Sequence, residues 1–142
     1  SYYKPASFGD WHNQITVVAD DPDTSGEFVL QQTVDLIAQD IESNKPVFNI
    51  KKIYADAYPQ ETSAGGERYP AVNQAIDNAV ESGTLLVNYF GHGGVDGWAN
   101  ERILEVPQIQ NWKNFSNLPL FVTVTCEFAR FDNPLRPTPT GS

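Results

Sequence analysis

The sequence predicts an α/β domain built on a parallel sheet of about four strands, with helices on both faces. Two observations support this prediction. Apolar, β-prone segments alternate along the chain with segments whose apolar residues recur at helical spacing. The strand-like segments are continuous apolar runs, which is typical of strands buried on both faces of a parallel sheet. Strands separated by helices also imply right-handed crossovers, so neighbouring strands run in the same direction.

The first strand and helix follow each other near the start of the chain. Gln14–Ala19 reads as a buried strand, and the acidic turn Asp20–Asp23 follows it. Thr24–Glu27 resembles a capping box, which favours a helix beginning there. Asn44 and Pro46 end the helical pattern. The apolar face of this predicted helix consists of Leu30, Val34, Ile37 and Ile41.

The same order repeats in the next segment. Phe48–Ala55 is the second predicted strand and ends at Asp56, and a flexible stretch, Pro59–Glu67, follows it. Pro70 can open a second helix, and Gly83 is suited to the left-handed conformation that often ends one. The buried face of this second helix is predicted to consist of Val72, Ala75, Ile76, Ala79 and Val80.

Two further apolar runs complete the predicted sheet. Thr84–Phe90 and Leu118–Thr125 read as the third and fourth strands, joined by a long connection with one short helix around Ile103–Val106. Right-handed crossovers predict that the first strand is central, with the second on one side and the third and fourth on the other. The fourth strand is then an edge so apolar that it invites pairing with another strand, and we expect the isolated chain to associate through this edge or to cover it with its own tail.

Length and charge limit the classes of function. A chain of 142 residues can form one core, which we place at residues 1–133, followed by a Pro/Thr-rich tail at residues 134–142 whose final Gly141-Ser142 is typical of a cloning remnant. The net charge of −9 opposes binding to nucleic acid or to anionic lipid headgroups, and no apolar run is long enough to span a membrane. The single cysteine cannot form a disulfide within the chain.

All four predicted strands end in chemically reactive or acidic residues. The first is followed by Asp20 and Asp21, the second by Asp56, the third by the run 91–94 (Gly-His-Gly-Gly), and the fourth by the pair 126–127 (Cys-Glu). Parallel strands have their carboxyl ends on one edge, where ligands of open α/β sheets bind. The sequence therefore predicts one functional site at this edge.

Cys126 and His92 are the candidate nucleophile and proton-transfer partner. A free thiol titrates near about 8.5, so a nucleophilic cysteine requires a neighbour such as an imidazole, which glycines on both sides allow to project into a cleft. The N–H groups of Gly93 and Cys126 are candidate oxyanion donors, and Asp20 or Asp21 is a candidate to orient the imidazole. The alternatives are a buried cysteine that fills space, a structural histidine, and a solvated acidic turn.

On these residues, the sequence resembles the gingipain family of caspase-like cysteine peptidases, and within it most closely the PorU-type sortases of the type IX secretion system. The resemblance rests on segments in the same order over nearly the whole chain. They are Gly9-Asp10-Trp11 before VVADD, KIYADAYPQ at Lys52–Gln60, NYFGHGG at Asn88–Gly94, and VTVTCEFARFD at Val122–Asp132.

The resemblance implies a role for particular residues. Cys126 would be the nucleophile, His92 the general acid and base, the Gly93 N–H an oxyanion donor, and Asp20 the acidic residue that supports the histidine. Trp98 would line the substrate pocket, with ordinary packing within the loop as the alternative.

Two departures from the family pattern accompany this assignment. Glu127 follows the cysteine where gingipains have a small polar residue, so we include it among the substrate-binding candidates; a carboxylate there would raise a thiol pKa. Caspase-like sheets also continue for two more strands after the catalytic cysteine, so we expect the chain to be a fragment of a larger domain that is inactive alone.

The resemblance also implies a biological role. Sortases of this type remove a C-terminal secretion signal from a protein substrate and transfer the acyl group to a surface anchor, in company with other secretion-system components. The expected location is the surface or exterior of a Gram-negative bacterium. The Asp-rich turn has ligands of the kind that Ca²⁺ prefers, but we assign no metal or cofactor from the sequence.

Two non-catalytic readings remain open at this point. A receiver-like or flavodoxin-like binding module also has an Asp-Asp pair after its first strand and binds a cation at that edge. Such a module leaves Cys126 and the Gly-His-Gly-Gly run unexplained, and the sequence has no suitable lysine after a fifth strand. A catalytically inactive scaffold that binds partners would retain the same motifs.

Overall fold

A computed structural model describes residues 3–24, 26–128, 130, 132 and 134 of the chain. Within this part the structure has nine strands and three α-helices. In chain order they are β1 (Gln14–Ala19), α1 (Phe28–Asn44), β2 (Asn49–Tyr54), β3 (Glu61–Ser63), β4 (Gly66–Arg68), α2 (Pro70–Ser82), β5 (Leu86–Phe90), β6 (Gly93–Gly94), β7 (Gly97–Trp98), β8 (Leu104–Glu105), α3 (Val106–Asn111) and β9 (Leu120–Val124).

The central sheet has the strand order β2-β1-β5-β9, and all of its strands are parallel. This order and the α/β class confirm the predictions from the sequence. β1 is central and five of its six residues are buried, which is why its sequence is apolar without alternation. β9 is an edge strand with β5 as its one neighbour among the described residues.

Helix α1 covers one face of the sheet. Val34 and Ala38 are fully buried and belong to a cluster with Val17 and Ala19 of β1. The helix begins at Phe28, one residue after the predicted capping segment, and ends at Asn44 as predicted. The predicted capping box does not cap the helix, because the N-cap is Glu27 and its side chain makes no capping hydrogen bond. The Glu27 carboxylate instead accepts the Thr24 N–H at 3.0 Å in the turn before the helix.

Helix α2 covers the other face. Its buried residues Val72 and Ile76 join a cluster with Val18, Val87 and Tyr89, which point away from α1 because side chains alternate along a strand. Pro70 occupies the first turn, where its missing N–H costs no helical hydrogen bond. The helix ends at Ser82, before a glycine with φ of 101°, as the sequence indicated.

Two stretches differ from the sequence predictions. The segment 59–67, expected to be flexible, contains β3 and the first two residues of β4, which pair with each other in antiparallel fashion. The connection after β5 contains a small sheet of order β6-β7-β8. The helix predicted around Ile103–Val106 is wrong in position, because Leu104 and Glu105 pair with β7 and the helix starts only at Val106. Pro107 lies in its first turn.

The edge strand β9 is apolar and largely uncovered. Leu120, Val122 and Val124 are 60%, 39% and 51% exposed, respectively, and all three point to the same side of the sheet. Most of the tail, residues 135–142, lies outside the described residues, so the boundary between a core at 1–133 and a tail stays a prediction. In the described part of the chain, no helix combines the length and apolar character needed to cross a membrane.

Candidate functional site

The register of β5 and β9 brings His92 and Cys126 to the same edge of the sheet. Phe90 pairs with Val124 as the last pair of the two parallel strands. His92 and Cys126 each follow two residues later, so both leave the carboxyl edge at the same level. The topology confirms that the two residues share this edge, whereas a hydrogen-bond distance between their side chains stays a prediction.

Contact between the two loops occurs at Gly93. A Cβ atom built on Gly93 would overlap Thr125 Oγ1 and lie 3.1 Å from the carbonyl oxygen of Cys126. The backbone after His92 thus passes directly against the backbone that carries the cysteine. A side chain at this position would have to displace the Thr125 side chain and press on the Cys126 carbonyl, so glycine fits best here.

Cys126 is a free, exposed cysteine. Its exposure contradicts the alternative in which the thiol fills space in the core. His92 is also exposed, with 45% of its side chain accessible. Both groups can therefore meet a substrate from solvent.

Asp20 supports His92 through the backbone rather than through the imidazole. Asp20 is 2% exposed, and its Oδ2 accepts a hydrogen bond from the His92 N–H at 2.9 Å. The Tyr89 hydroxyl donates to the His92 carbonyl at 2.6 Å and lies 3.3 Å from Asp20 Oδ2. The structure therefore fixes the loop at His92, whereas the ring orientation depends on another residue.

Burial raises the pKa of Asp20 from its ordinary value of 3.8 to about 7. The hydrogen bond from the His92 N–H opposes this rise, and the negative charges of Asp21 and Glu101 add to it. The carboxyl group of Asp20 is thus divided between its neutral and charged forms near neutral pH.

Glu27 is the carboxylate that faces the imidazole. Its Oε1 lies 3.5 Å from His92 Nε2, and its Oε2 accepts the Thr24 N–H at 3.0 Å. Partial desolvation alone would raise the pKa of Glu27, but hydrogen bonds from Thr24 and Asp23, with the charge of His92, lower it overall. Sequence reasoning missed this contact because Glu27 was interpreted only as part of a capping box.

Trp98 does not line a pocket in this structure. Its side chain is fully buried, and its ring stacks on Tyr89 with a centroid distance of 4.2 Å and an interplanar angle of 8°. With no exposed surface it cannot contact a substrate, which contradicts the pocket-wall prediction and supports the alternative of packing within the loop. It stiffens the platform beneath the site, together with Phe121 and Phe128.

Glu127 lies on an open cavity of about 290 Å³ next to Gly93. Its φ is 53°, in the left-handed region that side chains rarely adopt. Its carboxylate pairs with Arg130 at 2.9 Å. The lining of this cavity also includes Asp96 and Arg102.

Two groups of side chains at this edge have the spacing of metal ligands. One consists of Asp23, Glu27 and His92, and the other of Asp20, Asp21 and Glu101. Sequence reasoning did not single out Glu101, which lies in the connection after the histidine and becomes 4% exposed only through folding of the β7–β8 turn.

A parallel α/β sheet with an exposed thiol and an imidazole–carboxylate pair at its carboxyl edge has the architecture of a caspase-like cysteine peptidase. Comparison with protein families matches residues 1–141 to peptidase family C25, and the chain therefore belongs to that family. No curated protein matches the chain.

Solved structures with a similar fold include two of gingipains. One is the crystal structure of the Arg-specific cysteine proteinase gingipain R, with a TM-score of 0.66 and 21% identity. The other is the complex of the pro- and mature domains of RgpB from Porphyromonas gingivalis, with a TM-score of 0.65 and 20% identity. Each comparison covers 92% of this chain and 27% of the other chain, so this chain spans about a quarter of those proteins.

Proposed function

We propose that the chain carries the catalytic dyad of a cysteine peptidase that cleaves peptide bonds, with Cys126 as nucleophile and His92 as general acid and base. The observation that supports this most strongly is the close packing of Gly93 against Thr125 and the Cys126 carbonyl. This packing, together with the β5–β9 register, brings the ends of two strands that carry a thiol and an imidazole to one exposed edge.

The partners of His92 suggest how the dyad works. Glu27 lies against Nε2, which leaves Nδ1 as the ring nitrogen for the thiol of Cys126. An anionic Glu27 stabilises the imidazolium that forms when the thiol gives up its proton. The thiolate then attacks the peptide carbonyl, and the imidazolium protonates the leaving amine, so that an acyl group remains on the sulfur.

The Gly93 N–H is a suitable oxyanion donor in this arrangement. The Ala99 N–H donates to the His92 carbonyl at 2.8 Å, on one side of the Gly93–Trp98 pair. In an antiparallel sheet, a hydrogen bond at this place means that Gly93 and Trp98 form a non-hydrogen-bonded pair, so the Gly93 N–H does not donate to β7. It remains available to the negative oxygen of a tetrahedral intermediate at the adjacent cysteine.

We further propose a sortase-like reaction, in which an amine rather than water releases the acyl group. The four segments shared with PorU-type sortases support this finer assignment, as does the departure from gingipains at Glu127. The proposed substrates are proteins with a C-terminal secretion signal, handled with other components of the type IX secretion system at the cell surface of a Gram-negative bacterium.

Active-site labelling tests the peptidase proposal directly. A peptidyl acyloxymethyl ketone is incubated with the whole protein that contains this chain, and the modified peptide is located by mass spectrometry. We expect one adduct at Cys126, lost in His92→Ala and retained in His12→Ala, which removes the other histidine of the chain. Absence of the adduct in the wild-type protein would leave a non-catalytic binding module as the better reading.

The sortase step has a separate test. Cleavage of a substrate with a C-terminal signal is followed in the presence of a small amine, such as glycine amide. Acyl transfer gives a product that carries the amine, whereas a simple peptidase gives the free acid. Products that contain no amine at any amine concentration would reject the sortase assignment and leave the peptidase assignment intact.

A further inference from the structure

The hydroxyl of Tyr89 contacts the backbone directly after the residue that carries the imidazole. It donates to the His92 carbonyl oxygen at 2.6 Å and lies 3.3 Å from Asp20 Oδ2. A hydroxyl has a single proton to donate, and the shorter distance assigns that proton to the carbonyl. The hydroxyl therefore fixes the peptide unit that joins His92 to Gly93.

This peptide unit has a second donor on the same oxygen. The Ala99 N–H donates to the His92 carbonyl at 2.8 Å, so both lone pairs of the oxygen are occupied. The other end of the planar unit is the Gly93 N–H, which points away from the carbonyl oxygen. Since the unit cannot rotate without breaking both hydrogen bonds, the two donors set the direction of the Gly93 N–H.

Close packing holds the hydroxyl of Tyr89 in this position. The side chain is fully buried, and its ring stacks on Trp98 with a centroid distance of 4.2 Å and an interplanar angle of 8°. Gly91 leaves room for the hydroxyl, because a Cβ atom there would overlap it. A buried hydroxyl is costly unless it is hydrogen-bonded. The bond to the His92 carbonyl removes that cost.

The hydroxyl also keeps its proton. Burial raises the pKa of Tyr89 above its ordinary value of 10.0, and the charge and hydrogen bond of Asp20 add to this rise. Tyr89 is therefore protonated throughout the neutral range, and its hydroxyl can donate to the peptide at any pH in that range.

We propose that Tyr89 is a positioning residue for the oxyanion donor of the peptidase, an inference that rests on the function proposed above. A hydrogen bond accepted by a peptide oxygen polarises the whole unit and strengthens the donor at its other end, on the order of 10 to 30% per bond. Tyr89 thus acts through the His92–Gly93 peptide on the negative oxygen of the tetrahedral intermediate. A phenylalanine would fill the same space in the core, so the proposal concerns the hydroxyl alone.

Nuclear magnetic resonance of the 142-residue chain tests the contact without any need for activity. Of the two histidines, only His92 precedes a glycine, so labelling with ¹³C in the histidine carbonyl and ¹⁵N in glycine gives one cross-peak for this peptide. In Tyr89→Phe the carbonyl carbon and the Gly93 amide proton should both move upfield, because the unit is less polarised. Tyr54→Phe removes a hydroxyl that donates to Asp35 at 3.1 Å and should leave the cross-peak in place. An unmoved cross-peak in Tyr89→Phe would overturn the proposal.

Kinetics of the whole protein that contains this chain test the consequence for catalysis. With a peptide amide substrate, kcat of Tyr89→Phe should fall by about 5- to 30-fold with KM within about twofold, which is less than the loss of a whole oxyanion donor because the Gly93 N–H is still present. Alkylation of Cys126 by iodoacetamide requires the thiolate but forms no oxyanion, so its rate should stay within about twofold of wild type. Tyr54→Phe should match the wild-type protein in both assays.

Two results in these assays would overturn the role of Tyr89. One is a wild-type kcat in Tyr89→Phe. The other is an equal fall in kcat and in the alkylation rate, which would mean that the hydroxyl supports the dyad as a whole rather than the oxyanion donor. A purely structural role would lower the stability of the variant and leave its kcat per folded molecule unchanged.

Replacement of Tyr89 by 3-fluorotyrosine gives a second route that keeps the side chain in place if Tyr89→Phe does not fold. The fluorinated phenol is more acidic and a stronger donor, so the His92 carbonyl carbon should move downfield, opposite to the shift in Tyr89→Phe. An upfield shift or no shift would overturn the proposal. Absence of both turnover and Cys126 labelling in the wild-type protein would reject the peptidase function and this role with it. An active wild-type protein whose kcat does not respond to Tyr89→Phe would reject the role of Tyr89 alone.

Discussion

Asp20→Asn should change how the stability of the fold depends on pH. Asp20 is buried at the end of β1 and accepts the His92 N–H at 2.9 Å. An asparagine keeps the shape and can still accept that hydrogen bond, but it cannot ionise. The substitution therefore isolates the cost of holding a charged carboxylate at this position.

The size of the effect follows from the pKa. Burial raises the pKa of Asp20 from 3.8 to about 7, and each tenfold change in acidity corresponds to about 1.4 kcal/mol. The stabilising contribution is fully present below pH 3.8, where both the folded and unfolded states are protonated. Between pH 3.8 and 7 the Asp20 carboxyl ionises in the unfolded chain but stays protonated in the folded chain. The stabilising contribution is therefore lost as the pH rises through 7. The loss amounts to about 4 kcal/mol.

Urea unfolding followed by tryptophan fluorescence measures this effect, in EDTA and at pH values from 4 to 8. At pH 4 the variant and the wild-type chain should agree within about 1 kcal/mol, because an amide resembles a protonated carboxyl. At pH 8 the variant should be more stable by about 3 to 4 kcal/mol. Asp56→Asn, at the exposed aspartate after β2, serves as the control and should follow the wild-type curve. Parallel curves for Asp20→Asn and wild type would refute the reasoning.

Three further predictions concern the same edge. Glu27→Gln should slow alkylation of Cys126 by iodoacetamide at pH 7 by about twofold to tenfold, because the imidazolium of His92 loses its anionic neighbour; an unchanged rate would separate Glu27 from the dyad. Gly93→Ala should lower the free energy of unfolding by about 1 to 3 kcal/mol, since its Cβ would overlap the Thr125 loop, and a neutral result in urea unfolding would contradict the packing. Val122→Lys should reduce self-association of the chain in analytical ultracentrifugation, because a charge on an apolar edge strand opposes strand pairing; equal association in both proteins would show that this edge is not involved.

The central sheet could be predicted because burial dictates its sequence. β1 is buried from Ile15 to Ala19, so its side chains are apolar on both faces except Thr16, whose hydroxyl donates to Thr84 Oγ1 at 3.1 Å. The two long helices were predictable because each has one buried stripe and a recognisable end, as at Gly83. Right-handed crossovers then gave the strand order, and with it the placement of His92 and Cys126 at one edge.

The rest of the site depends on contacts that periodicity does not report. Strands β6, β7 and β8 have two residues each, which is too short for an alternating pattern. The burial of Trp98 and Glu101 follows from the small sheet that these strands form. One carboxylate oxygen of Glu27 accepts the Thr24 N–H, and the other lies near the His92 ring. The sequence pattern of a capping box accounted for the choice of Glu27, so its contact with His92 was not predicted.

The two residues of the proposed dyad are held in place with different strength, and this difference determines how substitutions near each of them should affect stability. His92 follows a strand with neighbours on both sides, and its loop is fixed by buried Asp20 and by Tyr89. Cys126 follows the exposed edge strand β9, whose outer apolar side chains are half or more accessible at Leu120 and Val124. Substitutions on the histidine side should therefore alter stability as well as reactivity. Substitutions at Cys126 should change the free energy of unfolding of this chain by no more than about 0.5 kcal/mol. Their effect on catalysis should depend on the strand that pairs with β9.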